Sequence, residues 1–206
     1  MKKFLTLFAV AIVCMSANAQ IQFGGKVGFD LTNFWGKNVG HGMKPGYQFG
    51  LMMEYKFGDK IAIAPEVVFA AQGGKFDVDA VVVEPGAIYF GTGKVTTNTN
   101  YINVPVMFKY YVNPEISIDF GPQVGFNVYS KYSIKDIDGS IDYKDATKGV
   151  DFGLGLGCTY NLTEHAFVQA RYTLGMTKAF KSLKIAGEEI NNEKNSNFQI
   201  AFGMKF

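Results

Sequence analysis

Apolar and polar residues alternate one by one in eight separate stretches of the chain. The clearest is Gly46–Phe57, where every second residue from Tyr47 to Phe57 is apolar. The last, Asn197–Phe206, alternates in the same way and stops on an aromatic residue. Because successive side chains of a β-strand point to opposite faces, this alternation predicts strands with one apolar and one polar face. The other six are Gln22–Leu31, Ile61–Gln72, Tyr101–Val112, Ile116–Tyr129, Val150–Leu162 and Ala166–Met176.

The apolar faces of these stretches carry large aromatic and aliphatic residues, and each stretch is about as long as a tilted membrane strand. The pattern predicts an all-β fold, an eight-stranded antiparallel up-and-down transmembrane β-barrel with its apolar face toward outer-membrane lipid. A soluble β-sandwich is the alternative, but it leaves few large aromatics facing outward. Pro65, Pro105 and Pro122 fall inside predicted strands, where each removes a ladder donor, so we expect local bulges there.

The connections alternate between short and long. Three are tight, at Gly58–Lys60, Asn113–Glu115 and Thr163–His165. The four long ones are Thr32–Pro45, Gly73–Asn100, Ser130–Gly149 and Thr177–Ser196. This asymmetry is typical of outer-membrane barrels, whose short turns are periplasmic. Within the longest connection, Glu84-Pro85-Gly86 predicts a turn, so we expect strands three and four to continue beyond the membrane as a hairpin.

The first residues predict secretion. Lys2 and Lys3 precede the apolar segment Phe4–Val13, and Ala17-Asn18-Ala19 has the small residues of a cleavage site. We therefore expect residues 1–19 to be a signal peptide and residues 20–206 to form one barrel domain in the outer membrane of a Gram-negative bacterium. A lipoprotein signal would use Cys14, but Val13 before it is a poor fit.

Charge and cysteine content exclude several partners. The whole chain has a formal net charge of +2, and removal of the predicted signal takes away two lysines. No run of basic residues predicts nucleic-acid binding. After cleavage Cys158 is the one remaining cysteine, which excludes an intramolecular disulfide and a cysteine metal cluster.

Five cations and five anions fall on the polar faces of the predicted strands. A charge inside a narrow barrel is costly unless it is paired and hydrogen-bonded, so we expect these groups to form salt bridges that fill the lumen. The predicted lumen charge cluster is Glu54, Glu66, Lys109, Asp119 and Arg171. The alternative is that the same charges line a polar ion path. The ten residues are Lys26, Lys56, Lys109, Arg171 and Lys205, with Asp30, Glu54, Glu66, Asp119 and Asp151.

The sequence does not predict an enzyme. Its two histidines, His41 in a long connection and His165 in a short turn, fall on opposite rims of the predicted barrel. Neither is placed to activate Cys158, which we expect against lipid, and the two cannot share a metal ion. We therefore predict no catalytic residues, no metal site and no cofactor.

Several segments resemble the PorT-type outer membrane β-barrel family of Bacteroidetes-like bacteria. Tyr101–Tyr111 (YINVPVMFKYY) is similar to that family's "YLEIPLLLKYY" strand, and Ala64–Phe69 (APEVVF) to its "PELLY" pattern. Gly121–Gly125 (GPQVG), Asp151–Gly157 (DFGLGLG) and Ala170–Gly175 (ARYTLG) resemble its "GPYVG", "DFGL…G" and "ARYxxGL" segments. The resemblance covers nearly all of residues 20–206. It implies that the three prolines belong to the barrel and that the family's secretion-linked or porin-like roles are candidates.

These observations favour a structural or interaction role through the surface loops, with an unidentified protein partner and a possible accessory part in protein secretion. A small-solute, porin-like channel is the alternative. The resemblance of the last strand to outer-membrane proteins implies that the barrel assembly machinery reads the terminal Phe206. We expect a monomer.

Overall fold

The structure is a computed structural model of the whole chain. It describes residues 20–35, 42–84, 87–134, 140–142, 149–177, 184–185, 188–189 and 194–206. The predicted signal peptide at residues 1–19 lies outside the described residues. In the part of the chain that is described, no helix is long and apolar enough to cross a membrane.

The described strands form a closed antiparallel barrel. Eight strands close it in the order β1–β2–β3–β4–β5–β7–β8–β11, with β11 paired back to β1. The short β6 pairs antiparallel with the end of β5, and β9 pairs with β10. The bounds are β1 Ile21–Trp35, β2 Lys44–Lys56, β3 Ile61–Glu84, β4 Ala87–Tyr111, β5 Ile116–Ile134, β6 Ser140–Asp142, β7 Val150–Asn161, β8 Ala166–Gly175, β9 Lys184–Ile185, β10 Glu188–Glu189 and β11 Lys194–Lys205. The predicted fold class is confirmed.

The two faces of the strands follow the alternation in the sequence. On β1, Phe29 is 79% exposed on the outside of the barrel, whereas the next residue, Asp30, is 0% exposed inside it. The outer face is a continuous apolar surface on which rings pack across strands, such as Phe49 against Phe69 at 5.2 Å between centroids. A surface this apolar is stable in lipid rather than in water.

The three short turns share one closure. In each turn, the backbone amide of the residue before the turn donates to the backbone carbonyl of the residue four positions later in the sequence. The three bonds are Phe57 to Ile61, Val112 to Ile116 and Leu162 to Ala166. Gly58 has a φ of +79°, a conformation that glycine adopts without strain. The amide of Phe206 donates to the Phe23 carbonyl, so the C-terminal residue lies at the same end of the barrel. We call this the short-turn end and the opposite one the long-loop end.

The third, fourth and fifth strands are longer than the alternation predicted. β3 and β4 stay paired to Glu84 and Ala87, which confirms that they continue as a hairpin. The turn residues Pro85 and Gly86 lie outside the described residues. β5 also continues, and pairs Ile134 with Val95 of β4.

The expectation of bulges at the prolines is wrong. The pairing register of β3 with β4 is the same on both sides of Pro65, and β4 and β5 keep one register from Tyr101 to Tyr111. The register shift of the β4–β5 pair lies between Asn100 and Tyr101, nearer the long-loop end. Each proline therefore costs one ladder hydrogen bond and leaves the strand alignment unchanged.

Candidate functional site: the charged lumen

A salt-bridge network fills the middle of the lumen. Glu66 on β3 accepts two hydrogen bonds from Arg171 on β8, at 3.0 and 2.6 Å, and one from Lys26 on β1 at 2.6 Å. The charged side chains of all three residues are at most 2% exposed. Since β3 and β8 are four strands apart in an eight-stranded barrel, this middle network (Lys26, Glu66 and Arg171) joins opposite walls.

A second network lies nearer the short-turn end. Glu54 on β2 accepts from Lys109 at 3.1 Å and from Lys205 at 3.0 Å. Its other oxygen accepts from the Tyr111 hydroxyl. This lower network (Glu54, Lys109, Tyr111 and Lys205) again places two cations on one carboxylate and spans β2, β4 and β11. Lys205 also donates to Asn161 at 3.3 Å.

Asp119 has neutral donors and is connected to the middle network through Gln169. Ser117 donates to Asp119 at 2.6 Å, Thr159 donates to it as well, and Gln169 donates to it at 3.2 Å. The amide oxygen of the same Gln169 accepts from Lys26 at 2.9 Å. Every polar atom of the Gln169 side chain is therefore used, which is what a fully satisfied buried network requires.

Small residues provide the space that these long side chains occupy. Between β2 and β4, strand β3 presents Ala62 and Ala64, which are buried, and Lys109 reaches Glu54 across them. On β7, a Cβ built at Gly155 would lie 3.5 Å from the Cδ of Arg171. Gly155 therefore lies directly against the Arg171 side chain, at an ordinary van der Waals distance.

A third group of contacts closes the lumen near the long-loop end. Asp151 accepts from the hydroxyl of Thr177 and from the Asn195 amide at 2.6 Å. The same amide donates to the Tyr101 hydroxyl at 3.3 Å. Tyr101 is on β4 and Asn195 on β11, so this contact also crosses the barrel.

The structure places all five residues of the predicted lumen charge cluster inside the barrel, but divides them. Arg171 and Glu66 bond each other, whereas Lys109 bonds Glu54 rather than joining them. Asp119 bonds neutral donors, although it is the cross-strand partner of Lys109. The sequence reasoning did not single out Tyr111, whose inward position follows from the same alternation that places Asn103 and Lys109 inside.

The histidines, Cys158 and the acidic side chains are the residues that a catalytic or metal centre would use. Among the described residues, no group of three or more His, Cys, Asp or Glu side chains could hold a metal ion. Cys158 is exposed on the lipid-facing side of β7. His165 is exposed in a short turn, and His41 lies outside the described residues.

A closed barrel of eight membrane-length strands, apolar outside and charged within, defines an outer-membrane β-barrel protein. The sequence matches the family described as "Outer membrane protein beta-barrel domain" over residues 16–181. The chain belongs to this family, and its place is the outer membrane of a Gram-negative bacterium.

Solved structures of bacterial outer-membrane proteins have a similar fold. Neisserial surface protein A covers 90% of this chain and 97% of its own, at 10% identity and a TM-score of 0.52. Ail, the attachment invasion locus protein of Yersinia pestis, covers 91% of this chain and 99% of its own, at 14% identity and a TM-score of 0.48. At such identities the likeness concerns the fold alone. A search of curated proteins by sequence found no match.

Proposed function

We propose that this protein is a non-enzymatic, non-conducting outer-membrane anchor that presents the β3–β4 hairpin to a macromolecular partner outside the cell. The observation that carries the proposal is the length of the hairpin. The last β2–β3 pair is Gln48 with Ala70, yet β3 stays paired with β4 up to Glu84. At about 3.3 Å per residue, the segment beyond Gly74 extends roughly 30 Å from the rim.

The base of the hairpin is held to the barrel by side chains. The Thr32 hydroxyl donates to the Gly73 carbonyl at 2.7 Å and accepts from the Gly73 amide at 3.1 Å. Lys44 donates to the Gln72 carbonyl at 2.9 Å. Contacts on both β1 and β2 therefore support β3 where it leaves the barrel. A supported hairpin presents a partner with a fixed surface, which lowers the entropic cost of binding.

The partner we favour is a polypeptide that adds a strand. Among the described residues, β3 continues past its last pair with β2, so beyond Gly73 its backbone offers an edge that a second chain can extend. Main-chain hydrogen bonds give affinity in this mode, and alternate side chains give specificity. The segment Val81–Val83 carries three consecutive valines, a residue type that favours strands.

The filled lumen supports an anchor over a channel. The charged groups of the middle and lower networks are at most 4% exposed, and each network joins strands that are not neighbours. Eight strands enclose an interior that side chains can fill, unlike the wide lumen of a large porin. The channel alternative requires these buried charges to separate and hydrate, which is costly.

The motifs of the sequence support a narrower assignment within the family. We propose membership of its PorT-type subgroup, a monomeric state and an accessory part in protein secretion. We also propose that the assembly machinery reads Phe206, whose side chain is 71% exposed. Genes of a secretion machine beside this one would support the accessory role, whereas transport or stress genes would count against it.

Site-specific photo-crosslinking in cells tests the interaction. A crosslinking residue at Val78 or Val82 of the hairpin should give a reproducible adduct of one size. The matched control is the same residue at Asp59, in a short turn at the opposite end. A barrel that lacks residues 76–94 should still reach the membrane and fold. The proposal would be contradicted if the hairpin positions gave no adduct, or if Asp59 gave the same adduct in the same amount.

A further inference from the structure

One level of the lumen contains polar side-chain atoms that are shielded from solvent but have no hydrogen-bond partner among the described residues. None of them belongs to the lower network. The residues lie between the middle network and the Tyr101–Asn195 contact, and we call them the upper layer. They are Asp30, Gln48, Asn103, Thr173 and Asn197, with the Nε atom of Arg171 at their lower boundary.

Asp30 is the most costly member of the upper layer. It is 0% exposed, and among the described residues no donor lies within hydrogen-bond distance of either carboxylate oxygen, although the Asn197 amide is close enough to interact with it. Gln48 on β2 and Asn197 on β11 flank it on the neighbouring strands, and the amide nitrogen and oxygen of both are likewise unmatched. Buried polar groups in folded proteins are nearly always hydrogen-bonded, to protein or to ordered water.

A small cavity adjoins these groups. Its volume is about 20 Å³, and its lining includes Asn103, Thr173 and Asn197. A buried water molecule needs about 10–15 Å³ and two to four polar partners. The unmatched atoms of these three residues supply that number. The cavity therefore fits one water molecule by both size and chemistry.

We propose that an ordered water molecule occupies this cavity and bridges Asn103, Thr173 and Asn197 of the upper layer. The unmatched atoms that line the cavity include donors, on the amide groups of Asn103 and Asn197, and acceptors, on Asn197 and Thr173. A metal cation satisfies only the oxygens. An anion satisfies only the donors, and the Asp30 carboxylate repels it. Water both donates and accepts, so it alone matches the whole set.

This assignment gives the lumen two halves of different character. The cavity of the upper layer holds water, whereas the carboxylates of the middle and lower networks are bonded by protein donors. The boundary is the Arg171–Glu66 pair. This pair fills the middle of the lumen, so water in the cavity has no open path through it to the short-turn end.

Gln169 provides an internal control. Gln169 is 3% exposed, close to the 3% of Asn103 and 4% of Asn197, but its side-chain amide donates to Asp119 and Thr159. Water-to-amide cross-relaxation is measured by NMR on the labelled barrel in lipid nanodiscs. We expect cross-peaks from water to the side-chain amides of Asn103 and Asn197, which line the cavity, and none to Gln169.

The variant Asn103→Leu replaces an amide of the cavity with an apolar group of similar size. We expect it to abolish the water cross-peak at Asn197 while the barrel still folds. If the variant does not fold, the water cross-peaks of the wild-type protein still show whether water is bound. Absence of water cross-peaks in the upper layer, or equal cross-peaks at Gln169, would overturn the proposal. So would a saturable shift of the Asn197 amide on addition of CaCl₂ or NaCl, because it would assign an ion instead.

Discussion

Arg171 and Glu66 form a two-pronged salt bridge across the full width of the barrel. The two guanidinium nitrogens donate to the two carboxylate oxygens at 3.0 and 2.6 Å, with both side chains buried. Arg171 is on β8 and Glu66 on β3, at opposite points of the strand order. The pair therefore acts as a cross-brace, and it also occupies the space through which a solute would pass.

Arg171→Ala should destabilise the barrel by about 3–5 kcal/mol, because it leaves the buried Glu66 carboxylate with one cation instead of two. Urea unfolding in lipid vesicles measures the free energy. The control is Lys60→Ala in an exposed short turn, which should change the stability by less than about 0.5 kcal/mol. Equal stabilities of the two variants would show that the cross-brace contributes nothing.

Tyr111→Phe tests the lower network by removal of one hydroxyl. The Tyr111 hydroxyl donates to the buried Glu54 carboxylate, and a hydrogen bond to a charged group contributes about 1.5–3 kcal/mol. The neighbouring Tyr110 is exposed on the lipid side, so Tyr110→Phe is the matched control. We expect Tyr111→Phe to lower the free energy of unfolding by this amount and Tyr110→Phe to leave it unchanged. A similar small effect at both positions would refute the role of this hydrogen bond.

Two glycines near the short-turn end should respond differently to the same substitution. A Cβ at Gly203 would lie 2.2 Å from the Phe167 ring and 2.9 Å from the Gly25 carbonyl oxygen. Gly203→Ala should therefore cost about 1–3 kcal/mol by overpacking. At Gly25 the nearest heavy atom to a Cβ is 3.7 Å away, so Gly25→Ala should be tolerated. Unfolding free energies that rank the two variants in the reverse order would contradict this packing.

The orientation of the barrel follows from its connections and can be measured in cells. In a Cys158→Ala background, a cysteine at Asp59 should resist an impermeant thiol reagent applied to intact cells, because short turns are periplasmic. A cysteine at Val82 in the hairpin should react. Labelling at Asp59 without labelling at Val82 would show that the barrel has the opposite orientation, with its short turns outside the cell.

The sequence predicted the faces of the strands better than the contacts between them. Alternation is a local property, so it placed Gln48 inside and Phe49 outside, as the structure confirms. The partner of Lys109 depends on the stagger between β2 and β4, which no single strand encodes. Alternation therefore did not predict that Lys109 bonds Glu54 across Ala62 rather than its cross-strand neighbour Asp119.

Strand ends were the other limit of the sequence. The alternation weakens after Gln72 on β3 and before Tyr101 on β4, because beyond the rim neither face of the strand has to contact lipid. The turn residues Glu84-Pro85-Gly86, rather than the alternation, predicted that these strands continue. The constant register past Pro65 was not predictable from the sequence. A proline removes one hydrogen-bond donor from the ladder, and the sequence does not show whether the strand pairing shifts in response.

The central claim is that salt bridges close the lumen, and planar-bilayer recording of the purified wild-type protein tests it most directly. The account predicts no steady conductance, and Arg171→Ala should lower stability without opening a channel of defined size. Reproducible wild-type channels whose ion preference changes in Arg171→Ala or Glu66→Ala would contradict it and assign the charges to an ion path.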